Sequence, residues 1–299
     1  IPWSDWSSDV CSSDLENMGI GTRGGFYDGV GTLRDMVQNH LAQLLAVTAM
    51  EPPAAFDASG FRNEVVKVYQ SLTPLTGEDI RHSVVRGQYM ASEGRKGYRE
   101  EEQVPTLSRT ETYLAMRLEL NNWRWGGVPF YIRTGKQMPT KVSEIVIHFK
   151  PAPYSLFRCE GGTCPVPNRL VIRIQPNEGI VLRLGMKKPG EGFEVLPMDM
   201  DFSYAELGRL PTEDAYARLI EDCIAGDPTL FIRSDAVESG WRFFDPILKY
   251  WQDVPECPLY GYPAGSWGPL EADSLMARHG ASWTNPCKNL TNTHLYCEL

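Results

Sequence analysis

No stretch of roughly 18 or more consecutive apolar residues occurs in the 299-residue chain, so no helix is written that could cross a bilayer. An excess of positive charge is also missing: 29 Lys and Arg stand against 38 Asp and Glu, a net charge of −9. Nucleic-acid binding needs a clustered basic face, so neither a nucleic acid nor a membrane is expected as a partner. The chain has no basic residue before Arg23 and no apolar core ahead of it, which is not the pattern of a secretory signal. A cytoplasmic location is the expectation.

Paired cysteines are lacking too. The seven cysteines (Cys11, Cys159, Cys164, Cys223, Cys257, Cys287 and Cys297) include no C-x-x-C, and Cys159/Cys164 has neither a second pair nor clustered histidines. Reduced thiols and no metal site are expected. Asn289-Leu290-Thr291 fits the glycosylation pattern but is expected to be idle without secretion.

What is present is the mixture of an ordinary globular protein, 42% hydrophobic and 22% charged. A chain of this length buries roughly 75% of its unfolded surface and needs no staple. Residues 1–15, IPWSDWSSDVCSSDL, are Ser/Asp-rich and carry neither helix nor strand period. They resemble translated adaptor sequence, a non-native leader set apart from the fold. Residues 287–299 are also aperiodic and are read as a tail.

Between these ends, Leu33, Val37, Leu41, Leu44, Leu45 and Thr48 recur at three- and four-residue spacing and predict a helix from about Gly31 to Met50, stopped by Pro52-Pro53. From Thr112 the period becomes two. Leu114, Met116, Leu118 and Leu120 form one alternating set; Ile145, Ile147 and Phe149, then Leu170, Ile172 and Ile174, then Ile180, Leu182 and Leu184 form others. Pro176-Asn177-Glu178-Gly179 reads as a tight turn between antiparallel neighbours. Helices are predicted over Glu213–Ile224, after Ser234-Asp235, and from Pro269 to Gly280. Strands bracketed by helices without strict alternation predict an α+β domain on one large, mostly antiparallel sheet.

Gly19-Ile20-Gly21-Thr22-Arg23-Gly24 matches G-x-G-x-x-G, but a dinucleotide fingerprint needs a preceding apolar strand and a carboxylate about 20 residues on. Neither is evident, and a plain glycine-rich loop is expected. His40 stands mid-helix with Asp35, Gln38, Asn39 and Gln43 on an otherwise apolar helix. Polar groups taken into a core must be satisfied or functional, and an imidazole is a natural base at neutral pH. Arg133-Thr134-Gly135-Lys136 through Lys141 places three cations directly after a strand, either a solvated loop or a clamp for an anionic substrate.

These residues carry a resemblance. GTRGGFYDGVGTLRDMVQNHLAQLLAVTAMEPP, NNWRWGGVPFYIRTGK, LVIRIQPNEG, LPTEDAYARLIEDCIAGD and YPAGSWGPLEADSLMARHG resemble the C-terminal domain of the glucose-6-phosphate dehydrogenases, from about Glu16 to Pro286. The resemblance implies that family's fold, a large mostly antiparallel sheet covered by helices, over residues 16–286. It implies oxidation of glucose 6-phosphate at C1 to 6-phosphogluconolactone, with NADP as hydride acceptor.

His40 matches the base that takes the C1 hydroxyl proton. Glu16 and Asp35 match residues holding sugar hydroxyls, and Lys136 matches the substrate-contacting lysine. Lys141 falls near the sugar phosphate, and Gln175 where a sugar-contacting glutamine can occur. The large sheet implies a homodimer or homotetramer. The family's Gly-x-x-Gly-Asp-Leu-Ala loop does not occur in this chain. Nor does its Arg-Ile-Asp-His-Tyr-Leu-Gly-Lys motif, whose aspartate orients the base. A truncated member without turnover of its own is therefore expected, the alternative being a non-catalytic sugar-phosphate-binding or assembly domain. Cofactor-binding residues are not assignable, although Arg173 and Arg183 would add charge to a second, structural NADP site such as some relatives hold.

Overall fold

Nine strands form one sheet in the computed structural model, which describes residues 6–151, 168–190, 192, 195–204 and 215–286. Cys159, Cys164, Cys287, Cys297, Asn289 and the predicted tail lie outside the described residues. The strands are β1 (Ser7–Leu15), β2 (Val84–Met90), β3 (Tyr113–Glu119), β4 (Pro129–Gly135), β5 (Val142–Phe149), β6 (Arg169–Gln175), β7 (Gly179–Lys187), β8 (Val195–Ser203) and β9 (Tyr260–Pro263). Their order is β8-β7-β6-β5-β1-β4-β3-β2-β9. Only β1–β4 and β2–β9 pair in parallel; every other neighbour is antiparallel. The predicted α+β architecture is the one observed.

Alternation sorts side chains to two faces. On one, Val10, Leu114, Met116, Ile132 and Ile145 meet the helices α2 (Ala42–Ala49), α3 (Ala58–Ser71) and α6 (Ser234–Asp253). On the other, Cys11, Tyr113, Ala115, Tyr131 and Val146 share a core with α7 (Leu270–Ala277) and Trp283. Of the remaining helices, α1 spans Gly24–Thr32, α4 Gly77–Ser83 and α5 Ala215–Ala225. The predicted helix over 31–50 is present in two parts, a π-helical segment Leu33–Leu41 followed by α2.

Two expectations are corrected. Residues 7–15 are not outside the fold: they form β1, the central strand, hydrogen-bonded to β4 on one side and β5 on the other. Val10, Cys11 and Leu15 supply buried apolar contacts. Two of its polar side chains find partners across the sheet, Ser13 Oγ accepting from Arg133 Nε at 3.0 Å and Asp14 Oδ1 from Ser143 Oγ at 2.7 Å. A Ser/Asp strand has no alternating signature, so its conformation comes from the ladders on both sides.

The glycine motif, second, does follow a strand and does open a helix at Gly24. Its first and last glycines serve packing, however. A Cβ on Gly24 would run into the Glu102 carbonyl, and one on Gly19 would lie 2.7 Å from the side chains of both Gln137 and Glu101. Gly21, with φ of 57°, has no neighbour within 4 Å of an added Cβ and serves the turn.

Candidate functional site

Several strand ends converge at one edge of the sheet. Leu15, the last residue of β1, pairs with Gly135 at the end of β4 and with Val142 at the start of β5. The chain leaving β1 is then zipped onto the turn leaving β4. The Glu16 N–H donates to Gly135 O at 3.0 Å, the Met138 N–H to Glu16 O at 2.9 Å, and the Gln137 N–H to Met18 O at 3.0 Å. These bonds fix Glu16 beside Lys136.

The Lys136 side chain is only 3% exposed, beneath the π-helical segment. Its Nζ is ion-paired with Glu16 Oε2, lies 3.8 Å from Asp35 Oδ2 and 3.6 Å from Met36 Sδ, and sits 5.6 Å from the Tyr27 ring centroid. Burying an ammonium costs several kcal/mol unless it is paired, and here two carboxylates and an aromatic face compensate it. Tyr262 locks the backbone, its OH donating to Lys136 O at 2.7 Å.

His40 stands five residues beyond Asp35. In an α-helix five positions turn through about 500°, leaving the two side chains about 140° apart. The segment is π-helical instead, with the Ala42 N–H donating to Val37 O, so residues five apart follow one another by about one turn. From the first turn of α2, Gln43 Nε2 donates back to Asn39 O at 2.7 Å. His40 is exposed, not walled into the apolar core.

Asp14 completes the group. Burial pushes its carboxyl up; the Ser143 hydroxyl and the charges of His40 and Lys136 pull it down, while Glu16 pushes it up. Asp14, Glu16, Lys136 and His40 thus share one electrostatic neighbourhood. Sequence reasoning missed Asp14, Tyr27 and Tyr262. Asp14 lies in a segment with no strand period, and the two tyrosines lie far along the chain from the groups they support.

Of the residues expected at the site, Glu16 and Asp35 each pair with Lys136, and the charge of His40 acts on the neighbouring Asp14. Lys141 is exposed at the head of β5, one residue before Val142. Gln175 is exposed at the end of β6 opposite Ser143, three strands from β4, about 14 Å at ordinary strand spacing. It shares the edge without touching the lysine cluster. Arg173 and Arg183 are neutralised within the sheet: Asp201 pairs with Arg173, and Asp199 receives Arg183 Nε at 2.6 Å and Nη2 at 2.7 Å.

Residues 9–284 match the family model described as "Glucose-6-phosphate dehydrogenase, C-terminal domain". The chain belongs to that family.

Among its relatives, the "Glucose-6-phosphate 1-dehydrogenase" of Aggregatibacter actinomycetemcomitans is 52% identical over 275 residues, covering 91% of this chain and 54% of that enzyme. That of Treponema pallidum is 46% identical over 289 residues, covering 95% and 56%. Among solved structures, a "Glucose-6-phosphate dehydrogenase in complex with its substrate glucose-6-phosphate" superposes with a TM-score of 0.85 at 34% identity, covering 94% of this chain and 57% of that one. The crystal structure of the enzyme from Mycobacterium avium superposes at 0.79 with 37% identity, covering 95% and 57%. The chain spans just over half the length of these dehydrogenases, and the matched region includes most of β1.

Proposed function

We propose that this edge of the sheet binds glucose 6-phosphate and takes the proton from its C1 hydroxyl, as the C-terminal domain's share of oxidation to 6-phosphogluconolactone. The observation carrying this reading is the buried Lys136 ammonium holding Glu16 and Asp35, with His40 one π-turn beyond Asp35. Each carboxylate spends one oxygen on Lys136, Oε2 and Oδ2, and keeps the other to accept a sugar hydroxyl. Both are about three-tenths exposed, at 29% and 28%, so a polyol can reach them.

The imidazole of His40 is the general base, and the carboxylate of Asp14, on which its charge acts, is assigned to favour its protonated form. Lys141 is assigned to the phosphate as a point charge, and Gln175 to the outer rim of the sugar. The hydride acceptor of the family reaction, NADP+, supplies the redox chemistry when bound. Gly19 and Gly24 are packed against Gln137, Glu101 and Glu102, and the acceptor's binding is assigned to the part of the dehydrogenases that this chain does not span. The free thiols of Cys11, Cys223 and Cys257 suit a reducing cytoplasm.

The sheet also supports self-association. Ile180, Met186, Leu196, Met198, Met200 and Phe202 on β7 and β8 are 38–62% exposed on one face. An apolar patch of this kind marks an interface, and a second copy of the chain is its proposed cover.

Calorimetric titration of glucose 6-phosphate into the chain tests the binding role. Saturable binding is expected, weakened at least about tenfold, or about 1.4 kcal/mol, by Lys136→Met. Equal affinity in the variant, or no binding by the parent chain, sinks the assignment.

A further inference from the structure

The central strand carries a feature unrelated to the sugar site. Asp9 and Cys11 alternate on β1 and so project to one face, and His148 on β5 stands directly opposite Asp9 in the ladder. Asp9 Oδ1 lies 2.6 Å from His148 Nδ1 and 3.4 Å from Cys11 Sγ, and one donor atom from each of the three residues lies within 4.8 Å of the others. The Asp9 and His148 side chains are 9% and 16% exposed, and Cys11 is 2% exposed.

We propose that Asp9, Cys11 and His148 form a binding site for a zinc-class divalent cation. One thiolate, one imidazole and one carboxylate make the borderline-soft donor set that zinc favours. Two anionic ligands neutralise a divalent charge. In a tetrahedron with metal–sulfur and metal–oxygen bonds of about 2.3 and 2.1 Å, the S···O edge is about 3.5 Å, close to the separation already present between Cys11 and Asp9. The Asp9–His148 edge has only to open from its hydrogen-bonded length to about 3.3 Å, the value for two such short bonds.

The ligands are oriented from behind. Ser8 Oγ donates to Asp9 Oδ2 at 3.0 Å, leaving Oδ1 for the ion. His148 Nε2 is 3.4 Å from Thr284 Oγ1, which in turn receives Arg169 Nη1 at 3.5 Å. A ligating histidine whose second nitrogen is held in this way has its tautomer and ring plane set. Three protein ligands leave the fourth position to water.

The site also has a structural consequence. Ser7, Asp9, Ser12 and Ser13 are buried on β1, an unusually polar set for the middle of a sheet. An ion joining β1 to β5 converts part of that polarity into folding free energy. Spacing along the chain could not disclose this, because Asp9 and His148 are 139 positions apart.

The test is cobalt and zinc titration of the chelator-treated full chain. One equivalent of Co2+ should bind with a thiolate-to-cobalt charge-transfer band that zinc abolishes by displacement. Cys11→Ser should remove the band, while Cys257→Ser, altering a buried thiol elsewhere, should retain it. Thr284→Val should weaken zinc binding about 10–100-fold. X-ray absorption on the unmodified chain loaded with one zinc should show a single sulfur neighbour at about 2.3 Å and nitrogen or oxygen neighbours at about 2.0–2.1 Å, and this settles the matter if Cys11→Ser does not fold. No stoichiometric uptake, a band that survives Cys11→Ser, or a shell with no sulfur or several would overturn the site.

Discussion

The carboxylate of Glu111 occupies the space that a side chain on Gly31 would need. Gly31 has φ of 73°, and a Cβ there would lie 2.6 Å from Glu111 Oε1. The same oxygen accepts the Leu33 N–H at 3.0 Å, while Glu111 O receives the Thr32 N–H at 3.2 Å and the Thr32 hydroxyl at 2.8 Å. This pair of residues sets where the π-helical segment begins and how it is aimed, and so where Asp35 and His40 arrive.

Gly31→Ala is accordingly expected to destabilise the fold by about 1–3 kcal/mol, the cost of a left-handed alanine, with the displaced Glu111 adding to it. Urea denaturation of the two chains measures this. An unchanged midpoint would mean that the kink tolerates a Cβ.

Glu111 also predicts a pH dependence. Burial pushes its carboxyl above the ordinary 4.5, outweighing the Leu33 N–H that pulls it down. A group raised in the folded state contributes its stability below the unfolded value and loses it as pH rises through the folded value. Glu111→Gln keeps the acceptor for Leu33 without the ionisation. Its stability should therefore gain on the parent as pH rises from about 4 toward neutrality, read from urea midpoints across that range. Parallel curves would show that Glu111 does not titrate with folding.

His40→Asn removes a positive charge that favours the ionised form of Asp14. The carboxyl resonance of Asp14, followed by NMR, should then titrate at higher pH than in the parent. An unmoved midpoint would separate the imidazole from the strand end.

Joining the chain to the dinucleotide-binding part of a complete relative is expected to yield glucose 6-phosphate-dependent reduction of NADP+. In that fusion His40→Asn should lower kcat about 10²–10⁴-fold with little change in KM, the signature of a lost general base. A comparable rate in both fusions would remove His40 from the chemistry.

Much of the scaffold could be read in advance. The two-residue alternation of Leu114–Leu120, Ile145–Phe149 and Leu170–Ile174 became β3, β5 and β6, and the Pro176–Gly179 turn joined antiparallel β6 and β7. α6 begins at Ser234, and Pro269 precedes α7, as their punctuation signalled. Glu16, Asp35 and Lys136, singled out through the resemblance, lie together in the structure, and His40 follows Asp35 on the same segment. Asp14 was not legible, because Ser-Ser-Asp-Leu carries no strand period and becomes a strand only through its neighbours.

Composition and periodicity by themselves determined an α+β domain with a mostly antiparallel sheet, because burying one face of a strand or helix leaves a repeat that any reader can count. Only the tertiary structure decided that β1 runs between β4 and β5, and that Lys136 is buried between Glu16 and Asp35. It alone decided that Asp35 and His40 are one π-turn apart. The physical reason is that ladder pairing, charge compensation and an i→i+5 register are settled between segments distant in the chain, where no local repeat records them.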